Sequence, residues 1–348
     1  MNSPRSMLAA APRVALGHWP TPLTRCDRLR EAVGGPTVWL KRDDCSGLAL
    51  GGNKTRKLEY LLGAALADGA DGIITFGALQ SNHARQTAAA CARLGLTCDL
   101  ILVRAVDRHD VHYVGSGNVL VDRLLGATLH VVDDGDGVLD ALVAITSRAE
   151  AAGRTLVTVG PGGSDATGTL GYVDGALELW TQAGEAELDV ARVVVAASTA
   201  GTAAGLALGS EVARGLGGAG PLGPASDTRL DVVCVYEPAA TTAATFESLL
   251  DETAARLGCE VPHPSRASVT DDQLGDGYGV PTAAAQHAID LLARTEGVLL
   301  DPVYTAKAFA HLLACIEHGE LADDREVVFV HTGGAPGLFA YAPAFEVG

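Results

Sequence analysis

The residues VVVAASTAGTAAG (193–205) form the most informative stretch of the sequence. The uncharged β-branched run at its start is typical of a strand buried on both faces, and the small residues after it predict a turn and then a helix. Backbone N–H groups at the start of such a helix, with the hydroxyl groups of Ser198, Thr199 and Thr202, suit a phosphate group. The spacing matches neither GxGxxG nor GxxxxGK(S/T), which disfavours a dinucleotide site and a Walker P-loop. An ordinary glycine turn without a ligand is the alternative.

On both sides of this stretch the chain alternates helical and strand patterns, which is typical of βαβ units around parallel sheets. The predicted strands lie at 72–76, 98–103, 128–132, 155–159, 191–197, 230–236 and 326–331. The predicted helices lie at 54–68, 85–94, 118–125, 138–152, 170–185, 203–213, 241–256, 282–294 and 304–318. Because the glycine-rich turn at 160–163 interrupts the alternation, we expect a small α/β domain at 63–162 and a large domain made of 1–62 and 163–348.

The composition of the 348 residues excludes several classes of partner. With 25 Lys and Arg against 42 Asp and Glu, the net charge is −17, so neither nucleic acid nor an anionic membrane is an expected partner. Seven cysteines, an odd number without a CxxC pair, argue against a disulfide framework or a metal site and favour a reducing cytoplasm. The uncharged run 193–210 is almost long enough to cross a membrane, but glycine and hydroxyl residues interrupt it. We interpret that run as core.

Lys54 is a candidate nucleophile because of its place in the sequence GGNKTRK (51–57). It stands at the start of a predicted helix, where the helix dipole and the charges of Arg56 and Lys57 favour a neutral amine over an ammonium. A neutral amine can form a Schiff base with an aldehyde. A solvated surface lysine is the alternative.

Three further polar clusters follow predicted strands or open predicted helices. Ser81, Asn82 and His83 open a helix, where backbone amides and short side chains can hold a carboxylate; a plain N-cap with a surface histidine is the alternative. The clusters 301–305 and 331–334 place hydroxyl and aromatic groups near strand ends, where open α/β sheets bind ligands. A phosphate loop, a Schiff-base lysine and an aromatic beside a hydroxyl are together the parts that pyridoxal phosphate needs.

Long motifs give the chain a resemblance to one family, the 1-aminocyclopropane-1-carboxylate deaminases and D-cysteine desulfhydrases among the fold type II pyridoxal-phosphate enzymes. The resemblance runs from about His18 to the C-terminus. It implies an α/β fold like that of tryptophan synthase β, with two open twisted sheets flanked by helices, and a homodimer that acts on a small amino acid. The motifs are RDDCSGLALGGNKTRKLEYL (42–61), GALQSNHARQTAA (77–89), GYGVPT (277–282) and DPVYTAKA (301–308).

The resemblance also implies roles for residues around the cofactor. Lys54 binds pyridoxal phosphate covalently and removes the substrate α-proton, and Asn82 contacts the phenolic oxygen of the cofactor. Tyr304 stacks near the pyridine ring. The backbone amides expected to bind the phosphate are those of Thr199, Ala200, Gly201 and Thr202.

On the substrate side, the resemblance implies that Ser81 and the backbone amides of Asn82 and His83 hold the carboxylate or assist proton transfer. Tyr278 lines this side of the site. Gly163 lies in a glycine turn that is similar to that of the desulfhydrase branch.

Two positions distinguish the branches of the family. The deaminases have Glu after DPVY and read HLGG at the last strand end, where this chain has Thr305 and Thr332. A carboxylate beside the pyridine nitrogen keeps it protonated for ring opening, whereas a Thr hydroxyl suffices for the loss of a good β-leaving group. We therefore expect a carbon–sulfur lyase that converts D-cysteine to pyruvate, ammonia and hydrogen sulfide. The alternatives are 1-aminocyclopropane-1-carboxylate deamination, L-cysteate sulfo-lyase activity, and a non-enzymatic sensor that binds pyridoxal phosphate or an amino acid.

Overall fold

Two sheets organise the protein, whose computed structural model describes residues 3–215, 227–261, 265–321 and 325–345. The larger sheet has six strands in the order β1-β2-β10-β7-β8-β9, and the smaller has four in the order β5-β4-β3-β6. Every strand pair is parallel except β1 with β2. The strands are β1 Leu23–Arg25, β2 Thr37–Arg42, β3 Gly72–Ala78, β4 Thr97–Val103, β5 Thr128–Val132, β6 Leu156–Val159, β7 Val190–Ala197, β8 Arg229–Cys234, β9 Ala267–Thr270 and β10 Glu326–His331.

Helices cover the faces of both sheets, as parallel strands require. The α/β class with two sheets flanked by helices is thus confirmed. One helix, α3, runs across the predicted domain boundary at 62/63, and the division into domains stays a prediction. The helices are α1 Pro4–Ala10, α2 Asp27–Val33, α3 Lys54–Ala67, α4 Asn82–Leu94, α5 Val111–Gly115, α6 Gly117–Leu124, α7 Gly135–Ala151, α8 Ala166–Glu185, α9 Gly201–Arg214, α10 Ala239–Arg256, α11 Ala283–Glu296, α12 Thr305–Glu317 and α13 Pro336–Ala340.

Helix α8 begins four residues before its predicted start, because a side chain caps it. Asp165 Oδ1 accepts hydrogen bonds from the backbone N–H groups of Thr167 (2.8 Å) and Gly168 (2.7 Å). These are two of the N–H groups that a helix start leaves without an intrahelical partner. Helix α8 packs against α3 and α9, whose first residues line the candidate site.

Close packing holds α3 against α8. A Cβ atom at Gly171 of α8 would overlap the carbonyl oxygen of Arg56 in α3, so only glycine allows the two backbones this approach. Arg56 is itself buried, and it forms ion pairs with Asp43 (2.8 Å) and Glu178 (2.7 Å). Burial by itself would raise the pKa of Asp43. The charge of Arg56 outweighs this effect and lowers that pKa to about 2. The start of α3, with Lys54, is therefore fixed by both backbone contact and buried charge.

No helix among the described residues is both long enough and apolar enough to span a bilayer.

Candidate active site

A cavity of about 400 Å³ lies between the two sheets. Its walls come from the carboxyl ends of β3 and β4 in the smaller sheet and of β7, β8 and β10 in the larger, the edge at which open α/β sheets bind ligands. A second cavity, of about 230 Å³ beside Trp180, contains none of the predicted site residues. The predicted residues that line the larger cavity are Lys54, Ser81, Asn82, His83, Thr199, Ala200, Gly201, Thr202, Tyr278, Tyr304 and Thr332.

Lys54 is the first residue of α3 and faces this cavity. Burial lowers the pKa of Lys54 to about 8. The cause is loss of solvation rather than the neighbouring charges that the sequence suggested. A substantial fraction of the amine is neutral near pH 8, as covalent attachment to an aldehyde requires.

Lys57 is a second cavity lysine, to which sequence reasoning gave only an electrostatic part. Its Nζ donates hydrogen bonds to Ser164 Oγ (2.8 Å) and to the carbonyl oxygen of Gly162 (3.2 Å). Burial and the charge of Lys54 lower the pKa of Lys57 well below its ordinary value. The signal in the sequence was the i, i+3 spacing from Lys54, which places both amines on one face of α3.

The turn between β7 and α9 has the shape of an anion cradle. A Cβ atom at Gly201 would lie 2.7 Å from Ser164 Oγ and 2.8 Å from Lys57 Nζ, so glycine keeps this space open. Ala200 has a φ of 55°, which turns the chain sharply into α9. The first N–H groups of α9 and the positive end of its dipole then face the cavity, and a phosphate group fits this donor set.

Asn82 is oriented by a residue that sequence reasoning missed. Asn118 Nδ2 donates to Asn82 Oδ1 (3.1 Å), and Asn118 Oδ1 accepts from Arg85 Nε (2.8 Å). Because the carbonyl side of the Asn82 amide is engaged, its Nδ2 donor is the group left to contact a ligand. Asn118 and Asn82 are 36 residues apart, so no local pattern indicated the pair.

His83 is a buried histidine rather than a surface one, with 3% of its area exposed. Thr75 Oγ1 donates its only proton to the carbonyl oxygen of Val159, so it accepts from His83 Nε2 (2.8 Å). Burial and the charges of Lys54 and Lys57 lower the pKa of His83 well below its ordinary value, which keeps the ring neutral. Nδ1 is then an acceptor, and it is buried without a partner in the described structure.

Ser81 is both an N-cap and a cavity residue. Its Oγ accepts a hydrogen bond from the backbone N–H of Ala84 (3.1 Å), as the plain N-cap alternative predicted. The hydroxyl proton is not used in that bond. Ser81 can therefore still donate to a carboxylate placed at the start of α4.

Three tyrosine side chains stand edge to face along one wall. The hydroxyl groups of Tyr278 and Tyr304 are 2.5 Å apart, and their ring centres are 6.0 Å apart. Burial raises the pKa of both hydroxyl groups above the ordinary range, so both stay protonated at neutral pH. Tyr236, which the sequence did not single out, places its ring centre 5.1 Å from that of Tyr278.

Two predicted residues do not line the cavity. Thr305 is fully buried, and its Oγ1 donates to Asp301 Oδ1 (2.7 Å) within the turn that begins α12. Gly163 lies behind the cavity wall, where a Cβ atom would be 3.4 Å from His83 Cε1. Their roles in binding stay predictions.

Comparison with known proteins identifies the family of the chain and the cofactor of that family. A family model described as pyridoxal-phosphate dependent enzyme matches residues 14–333. The chain belongs to this family. Pyridoxal phosphate is accordingly the cofactor, as predicted.

Two curated relatives are named D-cysteine desulfhydrase. The one from Salmonella choleraesuis (strain SC-B67) is 41% identical over 343 residues, which cover 98% of this chain and 99% of the relative. The one from Klebsiella pneumoniae (strain 342) is 40% identical over 336 residues, or 97% and 98% of the two chains. The predicted resemblance to this branch is confirmed.

Solved structures agree on the fold. A crystal structure described as an ACC deaminase homologue has a TM-score of 0.85 and 35% identity, and the match covers 99% of this chain and 98% of that one. The crystal structure of a threonine deaminase has a TM-score of 0.62 and 21% identity, over 96% of this chain and 98% of that one, which shows a shared fold. The predicted fold type II architecture is confirmed.

Proposed function

We propose that this protein is a carbon–sulfur lyase that converts D-cysteine to pyruvate, ammonia and hydrogen sulfide. The observation that carries the proposal is that Lys54 and the anion cradle line the same cavity. Burial lowers the pKa of this lysine to about 8. The names of the relatives support the choice of substrate.

The chain would bind the cofactor at two points, its aldehyde and its phosphate. Lys54 Nζ would bind it covalently, while Lys57 Nζ and the backbone amides of residues 199–202 would bind its phosphate. Asn82 Nδ2 would donate to its phenolic oxygen. When bound, pyridoxal phosphate delocalises the negative charge that develops at the substrate Cα.

Residues of α3 and α4 handle the substrate. Ser81 Oγ and the first amides of α4 would bind the α-carboxylate, which places the Cα–H bond near Lys54. Lys54 Nζ would take the α-proton, a step suited to an amine whose pKa burial has lowered to about 8. The paired hydroxyl groups of Tyr278 and Tyr304 keep one proton free to donate, and we assign it to the leaving sulfur.

Thr332 supports β-elimination over ring opening. It lines the cavity, whereas the hydroxyl of Thr305 is held by Asp301, so we place Thr332 beside the pyridine nitrogen. The described residues that line the cavity include no Asp or Glu to keep that nitrogen protonated. They include no Arg either, which disfavours a sulfonate substrate.

The test is a panel of four substrates: D-cysteine, L-cysteine, L-cysteate and 1-aminocyclopropane-1-carboxylate. Each is incubated with the purified holoenzyme, and keto acid, sulfide and sulfite are measured. Pyruvate with sulfide from D-cysteine is the expected result. Formation of 2-oxobutanoate from the cyclopropane would instead establish the deaminase alternative, and cofactor binding without turnover on the panel would favour a sensor.

We also propose a cytoplasmic homodimer. The resemblance of the motifs supports the dimer, and the seven cysteines, all free thiols, suit a reducing compartment. Light scattering of the purified holoenzyme tests the dimer, and a monomer mass would contradict it.

A further inference from the structure

Three side chains of metal-binding types lie close together outside the cavity, between β8 and α12. Asp231 of β8 and Cys315 of α12 are buried, and His311 stands one helical turn before Cys315. This i, i+4 spacing puts the imidazole and the thiol on the same face of α12. One ligand atom from each of the three side chains lies within 4.8 Å of the other two, and none of the three lines the cavity between the sheets.

The distances within this cluster fit a tetrahedral zinc ion. His311 Nε2 lies 3.5 Å from Asp231 Oδ2 and 3.5 Å from Cys315 Sγ. In a tetrahedral site with ordinary zinc–ligand bonds, neighbouring ligand atoms are about 3.4–3.6 Å apart. Imidazole nitrogen, carboxylate oxygen and thiolate sulfur are also the ligands that zinc takes in proteins. The imidazole therefore already stands at the spacing of a zinc ligand from the other two groups.

Neighbouring side chains hold two of these ligands in place. His311 Nδ1 is 2.9 Å from Asp272 Oδ2, which leaves Nε2 facing the other two ligands. Metal-bound histidines commonly donate their second ring N–H to a carboxylate in this way. Arg192 Nη1 donates to Asp231 Oδ2 (3.0 Å), and the carboxylate has further lone pairs that can bind a metal. The cluster thus has the outer partners that orient the ligands of a metal site.

The charges of these groups favour a cation among them. The cluster and its partners include two carboxylates, those of Asp231 and Asp272, and one guanidinium, that of Arg192. Burial by itself would lower the pKa of His311, but its hydrogen bonds to the two carboxylates outweigh this effect and raise that pKa to about 11. The imidazole therefore carries a positive charge when no metal is bound. Once the imidazole and the Cys315 thiol have each lost a proton, two negative charges are left uncompensated, and a divalent ion cancels them.

We propose that Asp231, His311 and Cys315 bind one zinc ion, with a water molecule as the fourth ligand. Binding releases one ring proton of His311 and the thiol proton of Cys315. The side chain of Asp272 is 40% exposed, so the ion reaches the cluster from solvent on that side. A single cysteine suffices here, so the lack of a CxxC pair does not argue against this site. The ion would tie α12 to β8, which goes beyond the proposed function because the cavity is not involved.

The test titrates holoenzyme, dialysed against EDTA, with Co²⁺, which takes tetrahedral zinc sites and absorbs visible light strongly there. No substrate is present, so no sulfide competes for the metal. We expect one Co²⁺ per chain, with the intense visible bands of tetrahedral cobalt and the near-ultraviolet band of a cobalt–thiolate bond in the difference spectrum. Added Zn²⁺ should displace the cobalt and abolish both signals.

Variants then locate the ion. Cys315→Ser should remove the cobalt–thiolate band. His311→Gln should weaken Zn²⁺ binding by roughly tenfold or more, since even the outer partners of a metal site contribute that much. Cys259→Ser is the matched control, because the Cys259 thiol donates to a backbone carbonyl, that of Ala254 (3.6 Å), and lies outside the cluster. Both signals should persist in this variant.

A measurement on the wild type covers the case in which a variant does not fold. X-ray absorption of the zinc-loaded holoenzyme should show one sulfur ligand at about 2.3 Å among nitrogen and oxygen ligands at about 2.0–2.2 Å. Zinc without a sulfur ligand, or only the weak bands of octahedral cobalt, would overturn the site. So would unchanged binding in both Cys315→Ser and His311→Gln, or loss of the signals in Cys259→Ser alone. Since none of these measurements uses turnover, their outcome is independent of the proposed lyase activity.

Discussion

At the scale of single residues, the burial of Lys54 predicts how the rate of covalent cofactor attachment depends on pH. Its pKa is lowered from an ordinary 10.5 to about 8, so the neutral amine that attacks the cofactor aldehyde increases as the pH rises toward 8. The rate of covalent cofactor attachment to apoenzyme should rise with a midpoint near that pH and then level off. Stopped-flow absorbance of the bound cofactor measures it.

The control for this prediction is Nα-acetyl-lysine, a lysine amine in water. Its reaction with pyridoxal phosphate should keep rising to near pH 10.5, the ordinary pKa of the group. If the rate for the apoenzyme followed the same alkaline pH profile as the rate for the free amine, burial would not be lowering the pKa of Lys54.

Lys57 makes a separate prediction about cofactor affinity. Its Nζ lies beside the cradle, and a bound phosphate would favour the protonated form of this amine. A charge-assisted hydrogen bond to phosphate contributes about 1.5–3 kcal/mol. Lys57→Met should therefore weaken binding of pyridoxal phosphate by roughly ten- to hundredfold. Binding of pyridoxal, which lacks the phosphate, is the matched control and should change little. An equal loss for both ligands would refute a phosphate contact.

The sequence was sufficient to predict the site residues that lie inside long motifs. It was insufficient to predict those whose roles depend on contacts with distant parts of the chain. Lys54 and Ser81 were predictable because their neighbours in the chain carry the motif. Asn118 and Tyr236 were not, because each acts on a side chain more than 30 residues away. Thr305 illustrates the converse, since its place in a motif did not reveal that Asp301 holds its hydroxyl.

At the scale of elements, the contact between α3 and α8 depends on Gly171. Gly171→Ala should lower the free energy of unfolding by roughly 1–3 kcal/mol, because the added methyl group overlaps the backbone of α3. Urea titration measures the change. Gly135→Ala, at the open start of α7, is the control and should be neutral or stabilising. Equal effects of the two substitutions would mean that α3 and α8 do not approach closely.

Helix α6 carries a buried carboxyl group that costs stability. Both oxygens of Asp122 lack a hydrogen-bond partner in the described structure, and burial raises its pKa from 3.8 to about 7. Between these two values the folded state binds the proton more tightly, so this group lowers the free energy of unfolding as the pH rises from about 4 to about 7. Asp122→Asn should thus stabilise the protein by on the order of 2 kcal/mol at pH 8 and by little near pH 4.

Urea titrations at both pH values measure this effect. Asp140→Asn, on the exposed face of α7, is the control and should give no pH-dependent gain. A gain for Asp122→Asn that was equal at both pH values would show that ionisation is not its source.

The elements that sequence patterns missed are short or partly polar. Strand β1 has three residues, and β9 has four that are at most partly buried. Strand β2 includes Lys41, whose buried amine donates to the carbonyl oxygen of Thr21 (2.9 Å) and to Gln182 Oε1 (2.6 Å). A charged residue satisfied by distant partners breaks the apolar run that predicts a buried strand.

At the scale of the whole molecule, the two sheets bring the site together. The strands of the smaller sheet lie between residues 72 and 159, and the larger sheet is built from both sides of that segment. The order of strands in the larger sheet could not be read from the sequence, because β10 is inserted between β2 and β7. That insertion places Thr332, near the C-terminus, in the same cavity as Lys54.

The most direct test of the account measures pyruvate and sulfide together when D-cysteine is added to holoenzyme. We expect equal amounts of the two products from the wild type. Lys54→Ala, which keeps the cradle but removes the amine, should lose both products and the absorbance of covalently bound cofactor. Undiminished product formation by Lys54→Ala, or sulfide without pyruvate from the wild type, would contradict β-elimination centred on Lys54.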